Sequence, residues 1–332
     1  VSRTNTSLIN SGITTQTRDT GRSGNITLNA PRLDIQNGGQ ISTETLRSGQ
    51  AGNITIQPFR DGPDLTINIE EEVSQITGST TGSGNSGNLT ITAPNAVTLG
   101  GDSNGRIAVE TSDRGNGGEL RLNAGLLTIQ DGSNVSAHSN VDAAGNAGNI
   151  FVDAAEGFTV GDSSTLSVES NSTGQAGNVT INAPRLTVAT DAAITATATV
   201  TAAPTSRGGN IFLNASTMDL SGSIGVFSET QGQAPAGRLV LSPFNDDSSL
   251  DITLRNAARV SASTTASGQG GDLRLFASES IAIRGDGKIA VETTGTGNAG
   301  ILSLSTQTLT IDDNALLTAT SSGTGAAGDI SF

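Results

Sequence analysis

A short signature recurs throughout the chain: a glycine, a small polar residue, then an aliphatic strand. It reads Gly24-Asn25-Ile26, Gly52-Asn53-Ile54, Gly87-Asn88-Leu89 and Gly118-Glu119-Leu120. It continues as Gly148-Asn149-Ile150, Gly177-Asn178-Val179, Gly209-Asn210-Ile211 and Gly237-Arg238-Leu239, and ends with Gly271-Asp272-Leu273, Gly300-Ile301-Leu302 and Gly328-Asp329-Ile330. The glycines lie 28, 35, 31, 30, 29, 32, 28, 34, 29 and 28 residues apart, or about 30 on average. A fixed period of this size marks a stack of identical supersecondary units, each too small to bury its own hydrophobic face.

Each period holds three short alternating segments. The first complete one shows Ile26-Thr27-Leu28, Leu33-Asp34-Ile35 and Ile41-Ser42-Thr43. Alternation with period 2 points Ile26, Leu28, Leu33, Ile35 and Ile41 the same way. Gly and Asn punctuate the gaps, as at Asn37-Gly38-Gly39. No segment has a capped 3.6-residue period, so βαβ and leucine-rich repeats are excluded. The expected fold is an all-β parallel β-helix, with three strands per coil and about 11 coils of about 30 residues. It is expected to be right-handed from the chirality of parallel crossovers. At about 4.8 Å per coil it would form a rod on the order of 50 Å long.

Composition fits a thin core. There are 43 Gly, 8 Phe and no Trp, Tyr or Cys, so Ile, Leu, Val and Ala must fill the interior. The absence of cysteine removes disulfides and thiolate metal sites. The net charge of −14 sets the chain against nucleic acid and anionic lipid. Its 17 basic residues, of which only Lys288 is lysine, are scattered. No stretch has the apolar length of a membrane-spanning helix, and no signal peptide is visible. Val1 falls mid-repeat and Asp329 opens a new strand, so further coils, or copies stacked end to end, are the expected neighbours.

The turns carry two expectations. Glycine is expected to supply positive φ where the chain bends. Asn25, Asn53, Asn88, Asn149, Asn178 and Asn210 are expected to stack as an amide ladder, interrupted at Glu119, Arg238 and Ile301. A longer period also shows. Pro58-Phe59 returns as Pro243-Phe244, and Ile107-Ala108-Val109-Glu110-Thr111 as Ile289-Ala290-Val291-Glu292-Thr293. The single rod of residues 1–332 thus reads as a six-coil unit in tandem, approximately 24–208 and 209–332.

Coils such as Ala51-Gly52-Asn53-Ile54-Thr55-Ile56 and Gly177-Asn178-Val179-Thr180-Ile181-Asn182-Ala183-Pro184-Arg185-Leu186 resemble the repeats of filamentous haemagglutinin-type proteins, most closely large cyanobacterial members. The resemblance covers essentially the whole chain. It implies a β-helix shaft, export across the outer membrane by two-partner secretion, and a role in adhesion, aggregation or surface fibres, with surface glycans or other cells as partners. The family's Asn-Pro-Asn-Gly secretion signature does not occur in these residues, which places them in the shaft.

Sites for chemistry are sparse. His138, the only histidine, reads as a surface residue in a Thr position. Asp312-Asp313 resembles the paired carboxylates of β-helical polysaccharide hydrolases. It lacks their Gly-His-Gly and Arg-Ile-Lys elements and reads as a turn. Asp61, Asp64, Asp246 and Asp247 offer calcium-type oxygen ligands in the two longest coils. The calcium nonapeptide is missing, and Glu70-Glu71-Glu72 maps onto Arg255-Asn256-Ala257. No cofactor is expected, with calcium as the alternative. Phe59 and Phe244, on the same excursions, are candidate contact residues. The strands Ile13–Thr17, Ile41–Thr45 and Ile194–Thr199 could present a hydroxyl array suited to ice, but Glu44, Glu110, Glu169, Glu229 and Glu292 intrude. The expected function is a non-enzymatic shaft of a secreted fibre or adhesin. The alternatives are a carbohydrate-active β-helix and, behind it, an ice-binding solenoid.

Overall fold

The computed structural model describes residues 5–332 except 72, 102–103, 141–143, 172, 190, 200–201 and 246–248, and for Asp61 the backbone only. The chain is an all-β solenoid of about ten turns built from parallel strands. The first complete coil contains strands Ile26–Asn29, Arg32–Gln36 and Gln40–Thr45, and the next contains Ile54–Gln57, Thr66–Ile69 and Gln75–Thr80. Counting each later coil from its anchor glycine, coils 3 to 10 start at Leu89, Leu120, Ile150, Val179, Ile211, Leu239, Leu273 and Leu302.

The recurring aliphatic residue after each glycine forms one continuous column. Ile26 pairs with Ile54, Ile54 with Leu89, Leu89 with Leu120 and Leu120 with Ile150. The register continues through Val179, Ile211, Leu239, Leu273 and Leu302. All of these are buried. The second and third strands add parallel columns, such as Ile35, Ile69 and Leu99, or Ile41, Ile76 and Ile107. Together they form one core running along the axis. Each coil therefore buries its apolar face only against its neighbours, as a solenoid must.

Two differences from the sequence expectation have physical causes. First, the three strands of a coil do not build three separate sheets; among the described residues they form two. The third strands make an 11-stranded sheet, while the first and second strands merge into one of 17. Strands Leu89–Leu99, Leu120–Ile129, Ile150–Val160, Leu273–Ile283 and Leu302–Ile311 run unbroken through the first corner. Between Ala124 and Leu126 the register shifts, the extra residue lying in each flanking strand, at 93–96 and 154–157, a bulge that turns the chain without ending its pairing.

Second, the anchor glycines do not sit at positive φ. They are required by close approach between coils. A Cβ on Gly52 would lie 2.1 Å from the carbonyl oxygen of Gly24, and one on Gly209 would lie 1.6 Å from that of Gly177. Glycine does supply positive φ at the turn between the second and third strands, as at Gly38, Gly132 and Gly285, and shares that turn with Asn37, Asp131, Asp162, Asp191, Asn256, Asp286 and Asp313. Short polar side chains tolerate this conformation best among residues with a Cβ.

The two longest coils keep this scheme by looping out. Ile56 pairs with Ile91 and Ile67 with Val97, so the surplus chain lies between residues 57 and 66. Leu65 closes the excursion with its side chain fully buried, and its N–H donates to Asn95 Oδ1 at 2.9 Å. Leu250 does the same in the other long coil, donating to Ser278 Oγ at 3.0 Å.

Gly209→Ala is expected to cost about 3 kcal/mol, the upper end for overpacking, because a backbone carbonyl occupies the space of the new methyl. Gly161→Ala, whose Cβ would meet nothing nearer than 4.0 Å, is the control. Thermal melts should show a large drop for the first and none for the second.

Candidate functional site

The surface is best read as corners and faces, since each residue position becomes a row along the rod. At the corner entering the first strand, the predicted asparagines do line up. Their main bond differs from a side-chain amide stack. Each Oδ1 accepts the backbone N–H of the equivalent residue one coil on: Asn25 from Asn53 at 2.8 Å, Asn53 from Asn88 at 3.0 Å, and Asn149 from Asn178 at 2.8 Å. Asn88 receives Glu119 at 2.9 Å, Asn178 receives Asn210 at 2.9 Å, and Asn210 receives Arg238 at 2.8 Å. Side-chain amide donation occurs from Asn210 to Asn178 at 2.9 Å and from Asn178 to Asn149 at 3.4 Å. The position thus needs an acceptor rather than an amide, and Asp272 serves by accepting Ile301 N–H at 3.2 Å.

A second asparagine row escaped the sequence reading. Asn85, Asn116 and Asn146 accept the N–H of Asn116, Asn146 and Gln175, each at 2.9 Å, and Asn298 accepts that of Ala326 at 2.9 Å. Its signal is present in the chain as Gly-Asn-x-Gly, three residues ahead of the first row. The two rows flank a strip of glycine and small residues.

The hydroxyl strands divide between inside and outside. In Gln40–Thr45, Ile41, Thr43 and Thr45 point inward and are fully buried, leaving Ser42 and Glu44 outside. Thr43 Oγ1 donates to the carbonyl of Gly52 at 2.7 Å. Thr15, Ser139 and Thr293 make the same kind of bond to Gly24, Gly145 and Gly297, each at 2.6 Å. These hydroxyls satisfy turn carbonyls that face the interior, where an unpaired acceptor would be costly. They are structural, and they are withdrawn from any outward array.

The outer face of the 11-stranded sheet is a polar strip. Gln40, Ser42, Glu44, Gln75, Thr77 and Arg106 line a shallow hollow of about 290 Å³. Most of the glutamates on this face are held. Glu44 accepts Gln16 Nε2 at 2.6 Å. Glu110 accepts Arg106 and, at 3.1 Å, Ser136 Oγ. Glu292 accepts Lys288 Nζ and Thr318 Oγ1, both at 2.8 Å. Arg259 lies 3.7 Å from Glu229 and stacks 5.3 Å from the Phe227 ring. Burial pushes the Glu110 carboxyl up, but the charge and hydrogen bond of Arg106, with His138 and Ser136, outweigh it and hold it below the usual range. Burial likewise opposes, and Lys288, Thr318 and Thr320 overcome, in lowering Glu292.

The remaining sequence candidates are dispersed. His138 is half-buried on the 11-stranded sheet, its Nε2 2.7 Å from Ser167 Oγ, and is in register with Glu110 and Glu169. Asp312 lies 3.5 Å from Arg284, and Asp313 and Asn314 adopt positive φ, as a turn requires. Phe59 opens a one-turn 3₁₀ segment, Phe59–Asp61, and lies with Pro31, Gly62 and Asp64 around a hollow of only about 20 Å³. Its ring is covered by Arg60 at 5.2 Å. Phe244 is half-buried after Pro243. Asp246 and Asp247 lie outside the described residues. Among the described residues no group of three or more His, Cys, Asp or Glu is placed to hold a metal ion.

No protein-family model, no curated protein and no solved structure matches this chain.

Two predictions follow from the side-chain rows. Asn178→Ala strands the Asn210 N–H and is expected to cost about 1–3 kcal/mol, whereas Asn178→Asp keeps the acceptor and should cost less. Chemical denaturation of both variants measures the difference. For Glu110, a depressed folded pKa means its stabilisation is present above the unfolded pKa and is lost as pH falls through the folded one. The melting temperature of Glu110→Gln should fall furthest below that of the parent near neutral pH, and the gap should close in acid.

Proposed function

We propose that this chain is the shaft of a secreted surface fibre or adhesin of the filamentous haemagglutinin type, acting in adhesion, aggregation or filament formation and not as an enzyme. The observation that carries this reading is the unbroken register from coil to coil. The Ile26-to-Leu302 aliphatic column and the asparagine rows run along one axis, so that each coil is the template for the next. A load along that axis is shared by the stacked coils, and the strength resides in a cross-coil ladder repeated at about 4.8 Å. Such a body is suited to holding something at a distance from a surface. The resemblance of the coils adds the extracellular, outer-membrane-exported setting, with other cells or their glycans as the partners of the assembled fibre.

The test is immunogold electron microscopy of native cell-surface material with antibody against this chain. Labelled continuous fibres with an axial repeat near 4.8 Å are expected. Label confined to discrete particles about 50 Å long, the length of ten coils, would overturn the shaft reading.

A further inference from the structure

One stretch of the glycine corner differs from the rest. Across the entries to coils 6, 7, 8 and 9 it opens into a groove of about 630 Å³. Three coil spacings make it about 14 Å long. The floor is backbone of Ala176, Gly208, Ala236 and Gly270. It is sealed from coil to coil by Ala176 N–H to Arg207 O at 2.9 Å, and by Gly208 N–H to Pro235 O and Ala236 N–H to Gln269 O, both at 2.8 Å. The floor residues carry no side chain larger than a methyl, so the long polar side chains that meet an occupant come from the walls.

The walls are rich in free donors. Arg207 and Arg238 are exposed, and neither has an acidic partner among the described residues, whereas Arg32, Arg106, Arg121 and Arg255 each hold a carboxylate. Arg238 stands where the asparagine row would continue, and its own N–H is already satisfied by Asn210. The exposed side-chain amides of Gln175 and Gln269 are likewise unengaged. The one carboxylate in the wall, Asp272, is occupied by Ile301 N–H at 3.2 Å and by Arg274 at 3.9 Å. Phe212, half-buried, adds an apolar ring.

We propose that this corner groove binds a carboxylated polysaccharide. The guanidinium forks of Arg207 and Arg238 take sugar carboxylates in paired hydrogen bonds, the geometry in which arginine is most selective. Gln175 and Gln269 meet the hydroxyls, and Phe212 offers a ring face to the sugar's apolar side. A groove running along the axis suits a linear polymer. Nucleic acid is disfavoured, because its dense phosphates require many neutralising cations and this rod carries a net −14. The groove is independent of the shaft reading, and either can fail alone.

The test is affinity electrophoresis of the whole chain through gels containing polygalacturonate, dextran or single-stranded DNA. Polygalacturonate should retard the protein, and dextran and DNA should not. The double variant Arg207→Gln/Arg238→Gln should lose the retardation by at least tenfold in apparent affinity. Its thermal melt should not change, since both side chains are exposed and unpaired. No retardation by polygalacturonate, equal retardation of parent and double variant, or equal retardation by dextran would each overturn the proposal. Retardation by DNA alone would replace it with a phosphate-polymer site.

Discussion

The structure depends on how closely successive coils approach at the glycine corner. The distance between coils is fixed by the parallel ladder, and at that distance the carbonyl of one anchor glycine occupies the space where the next coil's Cβ would stand. Only glycine meets this condition, so one side of every coil has no side chain at that point. Much else follows from it. Where an asparagine follows the glycine, it can reach the backbone N–H of the next coil because the corner is bare. The buried hydroxyls of Thr43 and its equivalents can reach turn carbonyls for the same reason. Close approach, acceptor rows and inward hydroxyls form a single solution to the problem of satisfying backbone at a tight, repeated turn.

Hydrophobic burial and polar satisfaction are separated in space. The aliphatic columns fill the centre, where Ile, Leu and Val stack on equivalents in register. Polar bonding lies at the corners and on the outer faces of both sheets, as where Asn68 donates to Asp34 and Asn182 to Asp153. There the charged groups are mostly in partnership, as with Arg106 and Glu110, or Lys288 and Glu292. Partly exposed pairs of this kind contribute modestly to stability. Their larger effect is to fix side chains in place along the strip.

The fold was legible because two periods coincide in the sequence. Alternation within Ile26-Thr27-Leu28 marks a strand, and the return of the motif at Ile54 marks the next coil. Less could be read from the glycines. A sequence shows that glycine stands at 52 or 209, but whether φ or contact demands it depends on the coil beneath. The fusion of the first two strands is not visible at Ala93-Pro94-Asn95, because proline ordinarily stands outside a paired strand, yet all three lie within Leu89–Leu99. The threonine strands looked like a surface array, but alternation alone cannot say which alternate residues face out, and burial places Thr43 and Thr45 within. The groove was illegible for another reason. Gln175, Arg207, Arg238 and Gln269 come from four coils, and each by itself is an ordinary polar turn residue.

The long excursions have a consequence for how such a rod can vary. Between Ile56 and Ile67 the chain wanders, then Leu65 returns to the interior and pairing resumes as though nothing had intervened. The anchor glycines act like the teeth of a rack: they set where each coil engages, and they are indifferent to the length of thread between engagements. Extra residues at that corner are tolerated because they cross no column. A lineage can therefore lengthen, trim or replace such excursions one coil at a time without disturbing the pitch of the rod.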